Sequence, residues 1–314
     1  MRILNGFFSA LRAPWPALWR AAALGLVCVS ASLSTPVAAA PIGYSVRSDA
    51  DDNLYRIDLS TGVATLVGPS GFSKIEGMAM SPAGSLYAVD PQASSPQLLR
   101  CSTVPSSSAL CAPVGATTLG IAPSTSPVGL AFLPNGELYL AVNATIYFVN
   151  PTTGAAVNRG SPGSIAIAGM AGTAPTPSCA SGLFALSANA NPASLYCVNT
   201  TTGALTSLGA VTPSSLDAGF DADRTTGLLW EITNGNPSQA FSIDPETRAT
   251  SAPVVVTREG APIGGFEGLA VEPSPAAVAA LDPFSVPTHG ASGAALLGLL
   301  IALLGLRSTR NARR

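Results

Sequence analysis

Short apolar segments recur along the chain, each bounded by Gly, Pro, Asn or Asp. One phrase, an apolar segment that runs into a polar turn, occurs four times: LYRIDLSTG at 54–62, IYFVNPTTG at 146–154, LYCVNTTTG at 195–203 and AFSIDPETR at 240–248. Short β-branched and aromatic runs separated by turn formers predict strands joined by hairpins. The last copy has Arg248 where the others have a turn glycine, so we expect that turn to differ.

A second phrase belongs to the same repeat. It occurs as EGMAMSPAGSLYAVD at 76–90, VGLAFLPNGELYLAV at 128–142 and, more loosely, AGFDADRTTGLLWEI at 218–232. The equivalent positions Leu54, Leu98, Ile146, Leu195 and Ala240 are separated by steps of 44, 48, 49 and 45 residues. A period of about 40 to 50 residues with four short strands per unit is typical of β-propeller blades. The pattern therefore predicts an all-β propeller.

The two ends of the repeated region complement each other. Each repeated unit has four strands in order. IGYSVRS at 42–48 matches the second strand of the unit, and EGLAVEP at 267–273 matches the first strand but stands without the rest of its unit. If both belong to one blade, the ring closes and its sheet edges are hidden. A sixth blade would need about 40 further residues. We therefore predict five four-stranded blades over residues 40–275, with an open array of repeats as the alternative.

The segments outside this region have the features of export signals. Basic residues, the apolar run AAALGLVCV at 21–29 and small residues before Pro41 are typical of a secretory signal peptide, predicted here as residues 1–39. A Pro-rich linker is predicted at 276–290. Residues 291–314 contain an apolar stretch followed by four Arg, which predicts a transmembrane helix with a cytoplasmic tail. A buried core helix is the alternative.

The segment VPTHGASGAALLGLLIALLGLRSTRNARR at 286–314 resembles the C-terminal sorting signals that exosortase-type enzymes process in Gram-negative bacteria. It is most similar to the variant named for an Ile-Pro-Thr-Leu motif. The start of that motif is matched by Val286, Pro287 and Thr288. His289 replaces the usual Leu, and Ser292 replaces the usual Trp. The resemblance implies a protein of the bacterial envelope or medium, anchored in the membrane before processing. Export machinery and a sorting protease are its implied partners.

The repeats resemble secreted propeller repeats of the broad Leu-Tyr-x-Ile-Asp-x-x-Thr-Gly type, a motif that specifies blades and not an activity. Residues 41–275 carry eight Lys or Arg and sixteen Asp or Glu, a formal charge of −8. A nucleic-acid-binding protein needs a basic surface, so this acidic region excludes that class of partner.

Four cysteines follow the predicted signal peptide, and an even number in an exported chain predicts disulfides. The sequence alone permits three pairings. The repeat places the first two on neighbouring third and fourth strands of blade two, and the other two beside neighbouring strands of blade four. It therefore favours Cys101–Cys111 and Cys179–Cys197.

The sequence contains few residues that could act in catalysis or bind a metal ion. The single histidine, His289, lies outside the predicted propeller, which excludes a His-based nucleophile or metal centre there. Asp49, Asp51 and Asp52 share one predicted hairpin loop, where they form a candidate Ca²⁺ site. A solvated turn is the alternative. No other cofactor is indicated.

Glu76 and Glu267 each directly precede the first-strand glycine of adjacent blades, and first strands line the channel of a propeller. They can face each other as an acid/base pair or a cation site. Alternatively, the two carboxylates only accept hydrogen bonds from backbone N–H groups at the mouth of the channel. The equivalent region of blade five contains Asp217, Asp221 and Asp223, which we interpret as turn residues.

These features predict an exported envelope or extracellular propeller that binds an unknown ligand or has a structural role, with no identified catalytic residue. One alternative is a lyase or hydrolase that uses acidic channel residues and a metal ion. Another is a passive surface-coat protein.

Overall fold

The computed structural model describes residues 40–115, 118–142, 144–189, 192–213 and 217–274. These residues form five four-stranded antiparallel sheets and one two-stranded hairpin, with no helix among them. The prediction of an all-β, five-bladed propeller is confirmed. The predicted signal peptide (1–39), the linker with its sorting motif (276–290) and the predicted transmembrane helix (291–314) lie outside the described residues. In the described ranges no helix is long and apolar enough to cross a bilayer.

The strands are numbered along the chain and grouped here by blade. Blade one contains β1 (Ile42–Val46), β2 (Asn53–Asp58), β3 (Ala64–Pro69) and β22 (Glu267–Val271). Blade two contains β4 (Gly77–Met80), β5 (Leu86–Val89), β6 (Leu98–Cys101) and β7 (Cys111–Pro113). Blade three contains β8 (Gly129–Phe132), β9 (Leu138–Val142), β10 (Thr145–Val149) and β11 (Ala156–Gly160).

Blade four contains β12 (Ile167–Gly172), β13 (Leu183–Ser187), β14 (Ser194–Val198) and β15 (Leu205–Ala210). Blade five contains β16 (Ala218–Ala222), β17 (Leu229–Thr233), β18 (Gln239–Ile243) and the short β19 (Val254–Val255). A hairpin of β20 (Thr257–Arg258) and β21 (Ala261–Pro262) connects blade five to β22. Each blade thus follows the strand order that the two repeated phrases predict.

The ring is closed by the last described strand. β22 pairs antiparallel with β1, with Gly43 opposite Val271, so the two ends of the repeated region complete blade one. The five inner strands β22, β4, β8, β12 and β16 contact one another in that order, and β16 in turn contacts β22. An open array of repeats is therefore excluded.

A glycine occupies the same position of every inner strand: Gly77, Gly129, Gly169, Gly219 and Gly268. A Cβ built at these positions would lie between 2.4 and 2.9 Å from an atom of the neighbouring blade. Real side chains do not tolerate such distances, so only glycine permits this close approach of the inner strands. The residue before each glycine then lies at one mouth of the channel.

Apolar side chains fill the spaces between adjacent blades. Met78 and Met80 of blade two pack with Tyr44 of blade one, for example, and Trp230 of blade five packs with Leu269 of blade one. Hydrophobic burial of this kind holds neighbouring blades face to face.

Both predicted disulfides are present. Cys101–Cys111 joins β6 to β7, and Cys179, in the loop before β13, is joined to Cys197 on β14. Each disulfide links two segments that are neighbours within one blade. The prediction for the turn at Arg248 is wrong, because this residue adopts the left-handed conformation (φ 63°) that glycine has in the other copies. Asp244 Oδ1 accepts hydrogen bonds from the backbone N–H groups of Glu246 and Thr247. The first residue of the turn accepts equivalent bonds in the other copies, and these bonds stabilise the turn.

Candidate functional site

One mouth of the channel collects acidic side chains from three blades. Glu76 directly precedes β4 and Glu267 begins β22; Asp217 directly precedes β16. Inner strands run in the same direction around a propeller, so their starts share one mouth. The loop between the second and third strands of each blade reaches the same mouth, and it contributes Asp49 in blade one and Asp90 in blade two. We call these five residues the acidic mouth.

Glu76 and Glu267 come from neighbouring inner strands that lie very close together. A Cβ on Gly268 would be only 2.7 Å from the carbonyl oxygen of Glu76. Both glutamates are more than nine tenths buried, with 9% of Glu76 and 6% of Glu267 exposed. The structure thus brings the two sequence-predicted glutamates to the same end of the channel.

The carboxyl group of Glu267 shares one hydrogen-bond donor with two other carboxylates. Asn234 Nδ2 lies 2.8 Å from Glu267 Oε1, 3.0 Å from Asp49 Oδ2 and 3.1 Å from Asp217 Oδ2. An amide nitrogen carries two hydrogens, so it cannot donate a full hydrogen bond to three oxygens at once. Acceptors therefore exceed donors around Asn234.

Glu76 is positioned by the loop after β5. Its Oε1 accepts a hydrogen bond from Gln92 Nε2 at 2.9 Å, and the Gln92 backbone N–H donates to Asp90 Oδ1 at 3.1 Å. Oε2 of Glu76 and Oε2 of Glu267 are buried and receive no hydrogen bond from the described residues. The Glu267 carboxyl group nevertheless hydrogen-bonds the side chains of Asp217 and Asp49, to which it can donate its proton. A buried polar atom without a partner is costly in free energy and rare in native proteins.

Burial in the mouth raises the pKa of both glutamates. Burial, with the charges of Asp217, Asp49 and Glu76 adding to it, raises the pKa of Glu267 to about 9. Burial also raises the pKa of Glu76 to about 7, opposed by the hydrogen bond from Gln92. At neutral pH Glu267 therefore holds a proton, and Glu76 titrates near pH 7.

One lysine partly balances the charge at the rim. Lys74 Nζ donates to Asp49 Oδ1 at 3.0 Å and to the Ser48 carbonyl at 3.4 Å. The side chains of Lys74 and Asp49 are 38% and 46% exposed, so this ion pair lies at the solvent boundary. The hydrogen bonds from Asn234 and Lys74 lower the pKa of Asp49, which is ionised at neutral pH. The mouth is thus reachable from solvent at the Lys74 side.

The predicted calcium loop has a different organisation. Asp51 Oδ2 pairs with Arg47 at 2.7 Å and accepts from the Tyr55 hydroxyl at 2.8 Å, so this residue stabilises the turn between β1 and β2. Asp49 instead faces Asn234 and Lys74. Across the described residues, no group of three or more His, Cys, Asp or Glu side chains is arranged to hold a metal ion. Asp49, Asp51 and Asp52 do not converge as a calcium site would require.

The opposite end of the channel contains the oppositely charged side chains of Asp221, which is buried, and Arg224, which is half-buried. Asp221 is fully buried on β16 and its Oδ2 accepts from the Val271 backbone N–H at 2.8 Å. Arg224 Nη2 donates to the carbonyls of Met80 at 2.8 Å and Phe132 at 3.0 Å. Burial raises the pKa of Asp221 to about 6, while the charge of Arg224 opposes the shift. These contacts connect blade five with blades one, two and three.

Sequence reasoning missed part of this arrangement. Asp223 is a turn residue as predicted, since its Oδ1 accepts from the Thr225 N–H at 2.8 Å. The turn interpretation is wrong for Asp221 and incomplete for Asp217. Asn234 was missed altogether, although it directly follows the second strand of its blade, as Asp90 does in blade two.

Comparisons with known proteins give only distant structural similarities. Neither protein-family models nor curated proteins give a match. Among solved structures, virginiamycin B lyase from Staphylococcus aureus is 16% identical with a TM-score of 0.39, over 66% of this chain and 64% of that chain. TolB from Acinetobacter baumannii is 12% identical with a TM-score of 0.43, over 75% of this chain and 67% of that chain. A chain of a nidogen–laminin complex is 12% identical with a TM-score of 0.43, over 74% of this chain and 98% of that chain. Similarities this distant carry no argument about activity.

Proposed function

We propose that this chain is an exported binding protein of the bacterial envelope or medium, and that its propeller holds a positively charged ligand at the acidic mouth. The observation that carries the proposal is the convergence of Glu267, Asp217 and Asp49 on Asn234 at one mouth of the channel. Glu76 lies at the same mouth, and its buried Oε2 receives no hydrogen bond from the described residues.

This arrangement of carboxyl groups costs free energy in the unliganded protein. Desolvating a carboxyl group without a hydrogen bond costs about 1 to 3 kcal/mol by mutational measures. Like charges close to such a group add to this cost, as the pKa of Glu267 shows. A bound cation would offset the negative charges of Asp217 and Asp49, which raise the pKa of Glu267. Buried ionisable groups with strongly perturbed pKa values cluster at functional sites, which favours a binding function.

Three features support the location. The segment at 1–39 has the features of a signal peptide, and the segment at 286–314 resembles a sorting signal. Disulfides such as Cys101–Cys111 and Cys179–Cys197 persist in oxidising compartments outside the cytoplasm. We propose that the C-terminal segment anchors the protein in the membrane until a sorting protease processes it. The propeller would then bind its ligand in the envelope or the medium.

The test is thermal unfolding of the full-length protein with chloride salts of Ca²⁺, Mg²⁺ and n-butylammonium, at ionic strength matched with NaCl. We expect at least one cation to raise the Tm of the wild type, because a ligand that binds only the folded state stabilises it. The double variant Glu76→Gln with Glu267→Gln should lose that rise. Glu259→Gln, whose side chain is 83% exposed on the β20–β21 turn, is the matched control and should keep it. An equal rise in the double variant, or no rise with any cation, would overturn the proposal.

A further inference from the structure

A cleft of about 630 Å³ lies in blade two, at the end of the blade opposite the acidic mouth. Three segments form its walls: residues 84–86, where β5 begins, residues 100–104, where β6 ends, and residues 112–115, from β7 onward. Binding sites for small molecules usually have volumes of about 300 to 1,000 Å³. This blade-two cleft is therefore large enough for a small organic molecule.

The cleft carries one charge, and that charge is positive. Of the described residues that line it only Arg100 is charged, although residues 41–275 have a formal charge of −8. Arg100 Nη2 donates to Ser85 Oγ at 2.8 Å, and no carboxylate of the described residues forms an ion pair with Arg100. A guanidinium group has five N–H donors in a planar fork that matches the two oxygens of a carboxylate. Because Arg100 is exposed, an anionic group of a ligand can reach this fork.

Apolar surface lies in the walls of the same cleft. Val104 is 69% exposed, the highest value for a large apolar side chain among the described residues. It lines the cleft together with Pro113 and Val114. Apolar surface that remains in contact with water favours a partner that covers it. A ligand that matches this cleft therefore has an apolar body as well as a negative charge.

The wall that contains Val104 is held in place by covalent and hydrogen bonds. The Cys101–Cys111 disulfide joins the two ends of the loop to which Val104 belongs. Within this loop the Ser102 N–H donates to the Leu110 carbonyl at 2.9 Å, and the Val104 N–H donates to Ser102 Oγ at 3.1 Å. A preformed site loses less conformational entropy on binding than one that must be ordered by its ligand.

We infer that the blade-two cleft binds a small organic carboxylate with an apolar body. The carboxylate accepts hydrogen bonds from the Arg100 guanidinium group, and the apolar body covers Val104 and Pro113. This inference goes beyond the proposed function, because the cleft and the acidic mouth lie at opposite ends of the blades and attract ligands of opposite charge. Failure of either one leaves the other intact.

The experiment is titration calorimetry of the full-length protein in detergent, with 4-phenylbutyrate, its neutral amide 4-phenylbutyramide and n-butyrate as probes at matched ionic strength. Blank titrations into detergent alone correct for partition into micelles. We expect 4-phenylbutyrate to bind about three- to tenfold more tightly than the amide, because a bidentate contact with an exposed guanidinium group is worth more than a simple surface ion pair but is still screened by solvent. It should also bind more tightly than n-butyrate, which lacks the phenyl ring.

Two variants locate the site. Arg100→Gln should lower the affinity for 4-phenylbutyrate to that for the amide. Arg56→Gln is the matched control, because Arg56 has the equivalent position in the third strand of blade one, is also exposed and does not line the cleft. It should keep the affinity of the wild type. An equal loss of affinity in both variants would overturn the assignment to this cleft.

The comparisons between probes use the wild type and need no variant to fold. Equal affinity for 4-phenylbutyrate and its amide would overturn the role of the charge. Equal affinity for 4-phenylbutyrate and n-butyrate would overturn the role of the apolar wall. Absence of binding at millimolar concentrations of 4-phenylbutyrate would overturn the whole inference.

Discussion

Replacing Glu267 by Gln tests whether the acidic mouth destabilises the unliganded protein. In the folded chain, burial and the charges of Asp217, Asp49 and Glu76 raise the pKa of Glu267 from 4.5 to about 9. A carboxyl group whose pKa is higher in the folded state contributes stability that is fully present below its unfolded pKa. That contribution is lost as the pH rises through the folded pKa. The free energy of unfolding should therefore fall as the pH rises from 4.5 towards 9.

The magnitude follows from the two pKa values. One pKa unit corresponds to about 1.4 kcal/mol, so Glu267 alone should lower the stability of the wild type by about 2 to 3 kcal/mol between pH 5 and pH 7. Glutamine needs no proton, and its Oε1 can still accept from Asn234 while its amide donates to Asp217 or Asp49. Glu267→Gln should therefore be about 3 kcal/mol more stable than the wild type at pH 7, and about 1 kcal/mol at pH 5.

The assay is urea unfolding followed by circular dichroism at pH 5, 6, 7 and 8, at constant ionic strength. The wild type, Glu267→Gln and the exposed-site control Glu259→Gln are compared. The control should follow the pH dependence of the wild type, whereas Glu267→Gln should have a clearly smaller slope between pH 5 and pH 7. A residual slope is expected, because Glu76 also titrates in this range. A variant that is less stable than the wild type at pH 7 would refute the account of Glu267 as a neutral, destabilising group.

Two further predictions concern the fold and the chain ends. Gly129→Ala should lower the free energy of unfolding by about 1 to 3 kcal/mol, because the new Cβ would lie 2.5 Å from Met170 Cγ and must displace it; wild-type stability in a urea titration would contradict the close approach of the inner strands. Intact-mass measurement of the protein from the envelope and the medium of its host should find a species that begins at Ala40 and ends near Thr288. A species that retains Arg314 in the membrane fraction would instead indicate an anchor without processing.

The fold could be predicted because a propeller repeats its local signals. Strand length, turn residues and the alignment of Leu54 with Leu98 each depend only on neighbours in sequence. The repeated region begins with a second strand and ends with a first strand of the unit, and this was sufficient to predict that the ring closes. The conformation at Arg248 was not predicted, because the hydrogen bonds to Asp244 hold the same turn geometry without glycine. Propensity is a weak guide where a short polar side chain fixes the backbone.

The site could be predicted only in part. Glu76 and Glu267 were identifiable because they interrupt a repeated position that is apolar in other blades, such as Val128 in blade three. Asp217 and Asn234 were not identified, since Asp and Asn at strand ends are usually turn formers. Their role depends on ring closure, which places blade five beside blade one. A contact between residues about 200 positions apart, such as Asn234 with Asp49, leaves no local signal in the sequence.

The two ends of the channel show that burial alone does not explain the acidic mouth. Asp221 is fully buried, yet it receives a backbone N–H bond and lies near the positive charge of Arg224, so its pKa rises only to about 6. Glu267 is slightly more exposed, but it faces carboxylates, and its pKa rises to about 9. A buried carboxylate that served only to join blades would be expected to have an opposite charge nearby, as Asp221 has. The negative charge at the mouth, which Lys74 balances only in part, is therefore better explained by a cation that arrives from outside the chain.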